Sequence, residues 1–140
     1  MKKALSLLAI FAILSLALSS CTPPQDKAGV VTVVIGTKTP TEHVLEFEEG
    51  DITNGLFSVL DELELSYTTD SYGMLASVGD LVPTPPTYIY LYTSVAEDFD
   101  VSQYALTMKY GTYTLTSSGV GAKDMHITDG AVIYIGTITW

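Results

Sequence analysis

Few groups in this chain can do covalent or acid–base chemistry: two histidines (His43 and His126), sixteen carboxylates and one cysteine, Cys21. Acyl transfer needs a nucleophile held by a base that is itself oriented. No Gly-x-Ser-x-Gly elbow lies near either histidine or anywhere else. In Asp124-Met125-His126-Ile127-Thr128, alternation sets His126 opposite Met125 and Ile127, as a half-exposed strand histidine; His43 opens a strand beside Glu42 and reads the same way. Glu46, Glu48, Glu49 and Asp51 crowd one strand end, where paired carboxylates could do glycosidase work. A solvated acidic edge that discourages strand-to-strand association accounts for them as well. Glu97-Asp98-Phe99-Asp100 offers hard oxygen ligands to Ca²⁺ but lacks the glycine and spaced final ligand of an EF-hand loop, and reads as solvated. With no Cys/His cluster for zinc, the sequence leads to a non-enzymatic protein without a metal or cofactor.

The aromatic residues carry the binding signal. Tyr88, Tyr90 and Tyr92 recur at period two, so one face of a strand bears three phenol rings while Ile89 and Leu91 face the other way. Such rings stack on flat ligands or sugar faces, or pack on one another as cross-strand pairs. Tyr72-Gly73-Met74 has the same two readings, with Gly73 at a bulge or close approach and Met74 filling the core. The candidate ligand-binding residues are therefore Tyr72, Gly73, Tyr88, Tyr90 and Tyr92.

The N-terminal 20 residues read as a cleaved secretory leader. Lys2 and Lys3 precede an apolar run, Ala4 to Leu18, that is short for a transmembrane span of ~20 residues. Leu18-Ser19-Ser20-Cys21 resembles the bacterial lipobox, which implies cleavage before Cys21 and a diacylglycerol on its thiol. The mature chain would then carry sixteen acids against four lysines, a formal −12 with no arginine. Nucleic acid is excluded as a partner, because phosphate binding needs clustered Lys or Arg. Electrostatic adhesion to anionic lipid fails for the same reason, so two acyl chains would have to hold the protein to its membrane.

Residues 21–29 read as a lipidated tether, with Pro23-Pro24 favouring extended backbone. One domain, 30–140, follows. Val30 to Ile35 is a β-branched run apolar on both faces, and His43 to Glu48 is a second strand. Leu56, Val59, Leu60 and Leu63 form one buried stripe of an amphipathic helix at about 54–64, with Thr53 or Asn54 as its cap. Strands are expected at Tyr72–Val78, Thr87–Thr93, Thr107–Tyr110 and Thr112–Thr116, the last two separated by Gly111 or joined as one bulged strand. Met125–Thr128 and Ala131–Thr139 flank Asp129-Gly130, a dipeptide favoured in two-residue hairpins, and Ala131 to Ile135 suits a central strand. This order predicts an α+β fold, one helix against a mixed or antiparallel sheet, of the β-grasp kind.

The element order, Tyr72-Gly73-Met74, the strand Tyr88 to Ser94, the stretch Ser117-Ser118-Gly119-Val120-Gly121 and Thr128 to Ile135 together resemble one family. It comprises bacterial surface domains related to the C-terminal domain of transcobalamin and intrinsic factor, catalogued as a domain of unknown function. The resemblance covers about Val30 to Ile138 and implies a β-grasp-like fold, an extracytoplasmic place and a ligand-binding or surface-display role. The animal carriers hold cobalamin between this domain and a helical barrel; no corrin-contacting residue passes one by one to this chain. The expectation is a lipid-anchored protein of the bacterial envelope, outside the cytoplasmic membrane, that binds a small molecule (corrinoid-like or glycan) or a partner protein. The other expectation is a structural or adhesion module acting through protein contacts.

Overall fold

The computed structural model describes residues 27–140. The expected leader, Cys21 and most of the tether lie outside the described residues. Among the described residues, eight strands and one α-helix form a single α+β domain. Strands β1 (Gly29–Ile35), β2 (Thr41–Phe47), β5 (Thr87–Thr93), β6 (Thr107–Tyr110), β7 (Tyr113–Ser117) and β8 (Ala131–Thr139) make a six-stranded sheet in the order β2-β1-β8-β5-β7-β6. Strands β3 (Tyr67–Thr69) and β4 (Leu75–Val78) pair as a separate two-stranded ribbon.

The apolar run at Ala131 becomes the interior strand the sequence predicts. β8 pairs parallel to β1, with Val31 opposite Ala131, and antiparallel to β5, with Thr93 opposite Ile133. The first and last strands therefore start at the same end of the sheet, and Trp140 leaves at the other. The expected hairpin at Asp129-Gly130 does not form. The Asp129 carboxylate accepts from the Val30 N–H at 2.9 Å and the Gly130 N–H donates to the Val30 carbonyl at 2.8 Å, so the turn docks onto β1 instead of folding back on its own strand. The expected strand Met125–Thr128 is also absent. Its alternation is real, with Met125 buried, Ile127 packed on the core and His126 facing out, but its backbone bonds to a side chain rather than to a ladder.

The helix, α1 (Leu56–Glu62), buries Leu56, Val59 and Leu60 against Val31, Val33, Ile35, Ile133 and Ile135. Leu63 packs on the same core. Its cap is neither Thr53 nor Asn54. Gly55 occupies that position, and Ser58 Oγ accepts from the Thr53 and Asn54 N–H groups at 3.1 and 2.8 Å. Glu64 stops the helix at φ 56°, a left-handed position that glycine usually fills, while the Leu65 N–H reaches the Leu60 carbonyl.

The opposite sheet face holds a smaller core. Val34, Leu115 and Val132 are buried yet lie outside the helix-side cluster. β6 and β7 form a hairpin with Tyr110 opposite Tyr113 and Gly111 at φ 57°, which settles the choice in favour of two strands.

Candidate functional site

β5 explains where a concave surface can form. It pairs with β8 along its whole length but with β7 only at Tyr92 and Thr93. Below that point its second side faces β4 across a gap without ladder pairing. Two adjoining concavities of about 430 and 680 Å³ open there and share Met74, Leu75, Ile89 and Tyr90. The smaller adds Tyr72, Gly73, Leu91, Ser118 and the wall Val120–Asp124; the larger adds Tyr88, Pro83, Pro85, Ile138 and Trp140.

Each lining element has a local cause. Asp70 Oδ1 accepts from the Tyr72 and Met74 N–H groups at 2.8 and 3.0 Å, and Gly73 takes φ 77°. This side-chain turn shortens the expected strand at Tyr72 to Leu75–Val78 and holds Tyr72 out at the rim, 88% exposed. Period two puts Ile89 and Leu91 against the helix-side core and turns Tyr88 and Tyr90 toward the other face. Trp140 stands 77% exposed at the far end, its N–H donating to the Pro86 carbonyl at 3.1 Å.

The structure thus gathers Tyr72, Gly73, Tyr88 and Tyr90 of the five candidate residues around one groove and sends Tyr92 elsewhere. Tyr92 joins a chain of rings. Tyr90–Tyr92, Tyr92–Tyr134 and Tyr134–Tyr110 have centroid separations of 5.3, 6.3 and 5.7 Å at interplanar angles of 71°, 77° and 55°. Rings set edge to face satisfy one another and present no flat platform. Burial, and then the Tyr90 and Tyr134 phenols, push the Tyr92 hydroxyl above its ordinary pKa. This is the ring-packing reading; it applies to Tyr92, while Tyr90 both ends this chain of rings and lines the groove.

Sequence reasoning missed Trp140, Ile138 and the wall Val120–Asp124. The terminal Trp, a large ring with no place in the alternation of β8, was the available signal; the wall has none.

The acid–base groups form a different arrangement. The Asp98 side chain is fully buried in the 3-10 turn Ala96–Asp98. Its Oδ2 accepts from the His126 backbone N–H at 2.7 Å, and its Oδ1 lies 2.6 Å from His126 Nδ1. His126 Nε2 points outward, 3.7 Å from Glu97. The hydrogen bond to Asp98 raises the His126 pKa; burial opposes it, and the charges of Asp98 and Glu97 add to it. This corrects the expected strand histidine: His126 belongs to a carboxylate–imidazole pair that joins two loops. Asp98 is spent on His126, and Asp100 Oδ1 on the Ser102 N–H at 2.8 Å, so Glu97–Asp100 does not converge on a common point. His43 sits half-buried within β2, opposite Val33. At the acidic strand end, Asp51 accepts from the Glu48 N–H at 2.8 Å and closes a turn. Among the described residues no three His, Cys, Asp or Glu side chains converge to hold a metal, and no helix is long and apolar enough to cross a membrane.

No family model matches the chain, and no curated protein does. A crystal structure from Ruminococcus gnavus ATCC 29149, described as that of a "putative metal binding protein", is 16% identical over 81% of this chain and 98% of its own, with a TM-score of 0.46. No residue role passes between the two at that likeness.

Proposed function

We propose that this is a bacterial envelope lipoprotein, anchored through lipid on Cys21, whose β-grasp-like domain binds a small molecule in the groove beside β5. The observation that carries the reading is the meeting of Tyr72, Gly73, Tyr88 and Tyr90 on two contiguous concavities. Their sizes fall within the roughly 300–1,000 Å³ of small-molecule sites. The lining is mostly apolar, with exposed tyrosine rings whose hydroxyls can orient a ligand. That chemistry suits a ligand with one flat, weakly polar face: a glycan ring or a corrinoid-like macrocycle. The reading needs no bond-making step, and the protein is then a binder and not an enzyme.

Thermal-shift screening of the purified protein against cobinamide, cobalamin and simple glycans tests it. A saturable rise in melting temperature that Tyr88→Ala removes supports the groove; no shift across the panel overturns the small-molecule reading.

One observation favours a second reading, contact with another surface protein. Tyr72, Met74, Tyr88 and Trp140 all line the groove, and all are strongly exposed. Clustered exposed apolar side chains mark interaction surfaces, and such a module would serve adhesion or display.

A further inference from the structure

The groove wall Val120–Asp124 has no strand partner of its own. Its hydrogen bonds within itself are short-range: Ser118 Oγ with the Val120 carbonyl and N–H, and the Asp124 N–H to the Gly121 carbonyl. Both of its ends are tied to one residue. The Gly119 N–H donates to the Asp98 carbonyl at 2.8 Å, just before the wall. The His126 N–H and imidazole both bind the Asp98 carboxylate, just after it. Between those ends Ala122 and Met125 insert into the core.

We infer that Asp98 is a positioning residue for the groove: its backbone carbonyl holds Gly119 and its buried carboxylate holds His126, and together they close the segment Gly119–His126 and fix the wall against which a ligand would rest. This rests on the groove being the binding site. The physical reason is the cost of the alternative. Without the carboxylate, the His126 N–H and Nδ1 lose a charge-assisted acceptor that is itself fully buried. The wall then keeps its tie at Gly119 and the core contacts of Ala122 and Met125 but loses its tie at His126, and gains conformational freedom there. The sheet itself makes no use of the Asp98 side chain, so the effect is local.

Amide hydrogen exchange on the full chain tests this without any ligand, so its failure is distinct from failure of the binding screen. Asp98→Ala is expected to speed exchange at Val120, Ala122 and Asp124 at least tenfold while Val33 and Ile133 stay within twofold of wild type. Asp98→Asn, which keeps an acceptor for the His126 N–H, is expected to restore part of the protection, and His126→Ala, which keeps the backbone donor, to lose only part. The inference is overturned if the wall amides in Asp98→Ala exchange at the wild-type rate, or if wall and sheet loosen together. Should Asp98→Ala not fold, the Asn and His126→Ala variants decide: unchanged wall exchange in both overturns it.

Discussion

The Tyr110 hydroxyl donates to the Glu42 carboxylate at 3.0 Å although the two residues belong to β6 and β2, the outermost strands on opposite sides of the sheet. The sheet is therefore rolled until its edges approach, and Tyr110 leans on Tyr134 beneath that contact. Rolling shields Val34, Leu115 and Val132. Tyr110→Phe is expected to lower the melting temperature slightly, and Tyr110→Ala more, because only the latter also removes ring packing. Equal effects in thermal denaturation would show that the hydroxyl contact, not the ring, holds the edges.

Leu115→Ala should cost about 2–5 kcal/mol in denaturant unfolding, the range for truncating a fully buried aliphatic side chain. A cost below about 1 kcal/mol would mean that the second face is not a packed core.

Gly55 and Gly73 both have positive φ, but their surroundings differ. A Cβ on Gly55 would press into the Lys123 and Ala122 carbonyl groups, whereas one on Gly73 meets nothing within 4 Å. Gly73→Ala should therefore cost about 1 kcal/mol, the left-handed penalty alone. Gly55→Ala should cost about 3 kcal/mol or more and displace the groove wall. Equilibrium unfolding of the two variants side by side checks the order.

Because the folded-state His126 pKa is raised above its ordinary 6.5, the pairing with Asp98 stabilises the fold fully below the unfolded value. That part is lost as pH rises through the folded value. The difference in melting temperature between wild type and His126→Ala should accordingly shrink from pH 5.5 to pH 8.5. Proton NMR of His126, whose ring is 57% exposed, should give a midpoint above that of a model histidine. A midpoint at or below it contradicts the pairing.

Tyr88→Ala and Trp140→Ala should weaken groove binding while leaving stability within about 0.5 kcal/mol, as for surface substitutions. Tyr92→Ala should destabilise by about 2 kcal/mol or more and report on packing. The reverse pattern, in thermal-shift titration with cobinamide or a glycan, would move the site to the ring stripe.

The readable parts of the fold were those with a local period. Thr87–Thr93 and Thr107–Tyr110 match their expected bounds, and the stripe Leu56–Leu63 gives the helix. What failed did so through partners distant in sequence. Asp129-Gly130 has hairpin chemistry, but its hydrogen bonds go to Val30, nearly a hundred residues earlier. Met125–Thr128 alternates as a strand does, but Asp98 captures its backbone. The same limit shaped the site. Tyr72, Gly73, Tyr88 and Tyr90 could be named from residue type, whereas parting Tyr92 from them required knowing that Tyr134 stands beside it.

The parallel start of β1 and β8 has a bearing on how the protein would meet its ligand. Trp140 and the wider end of the groove lie nine β8 residues, about 30 Å, from the pole where the chain enters. With Cys21 lipidated as proposed, the wider end of the groove would belong to the pole opposite the one that the anchored segment joins.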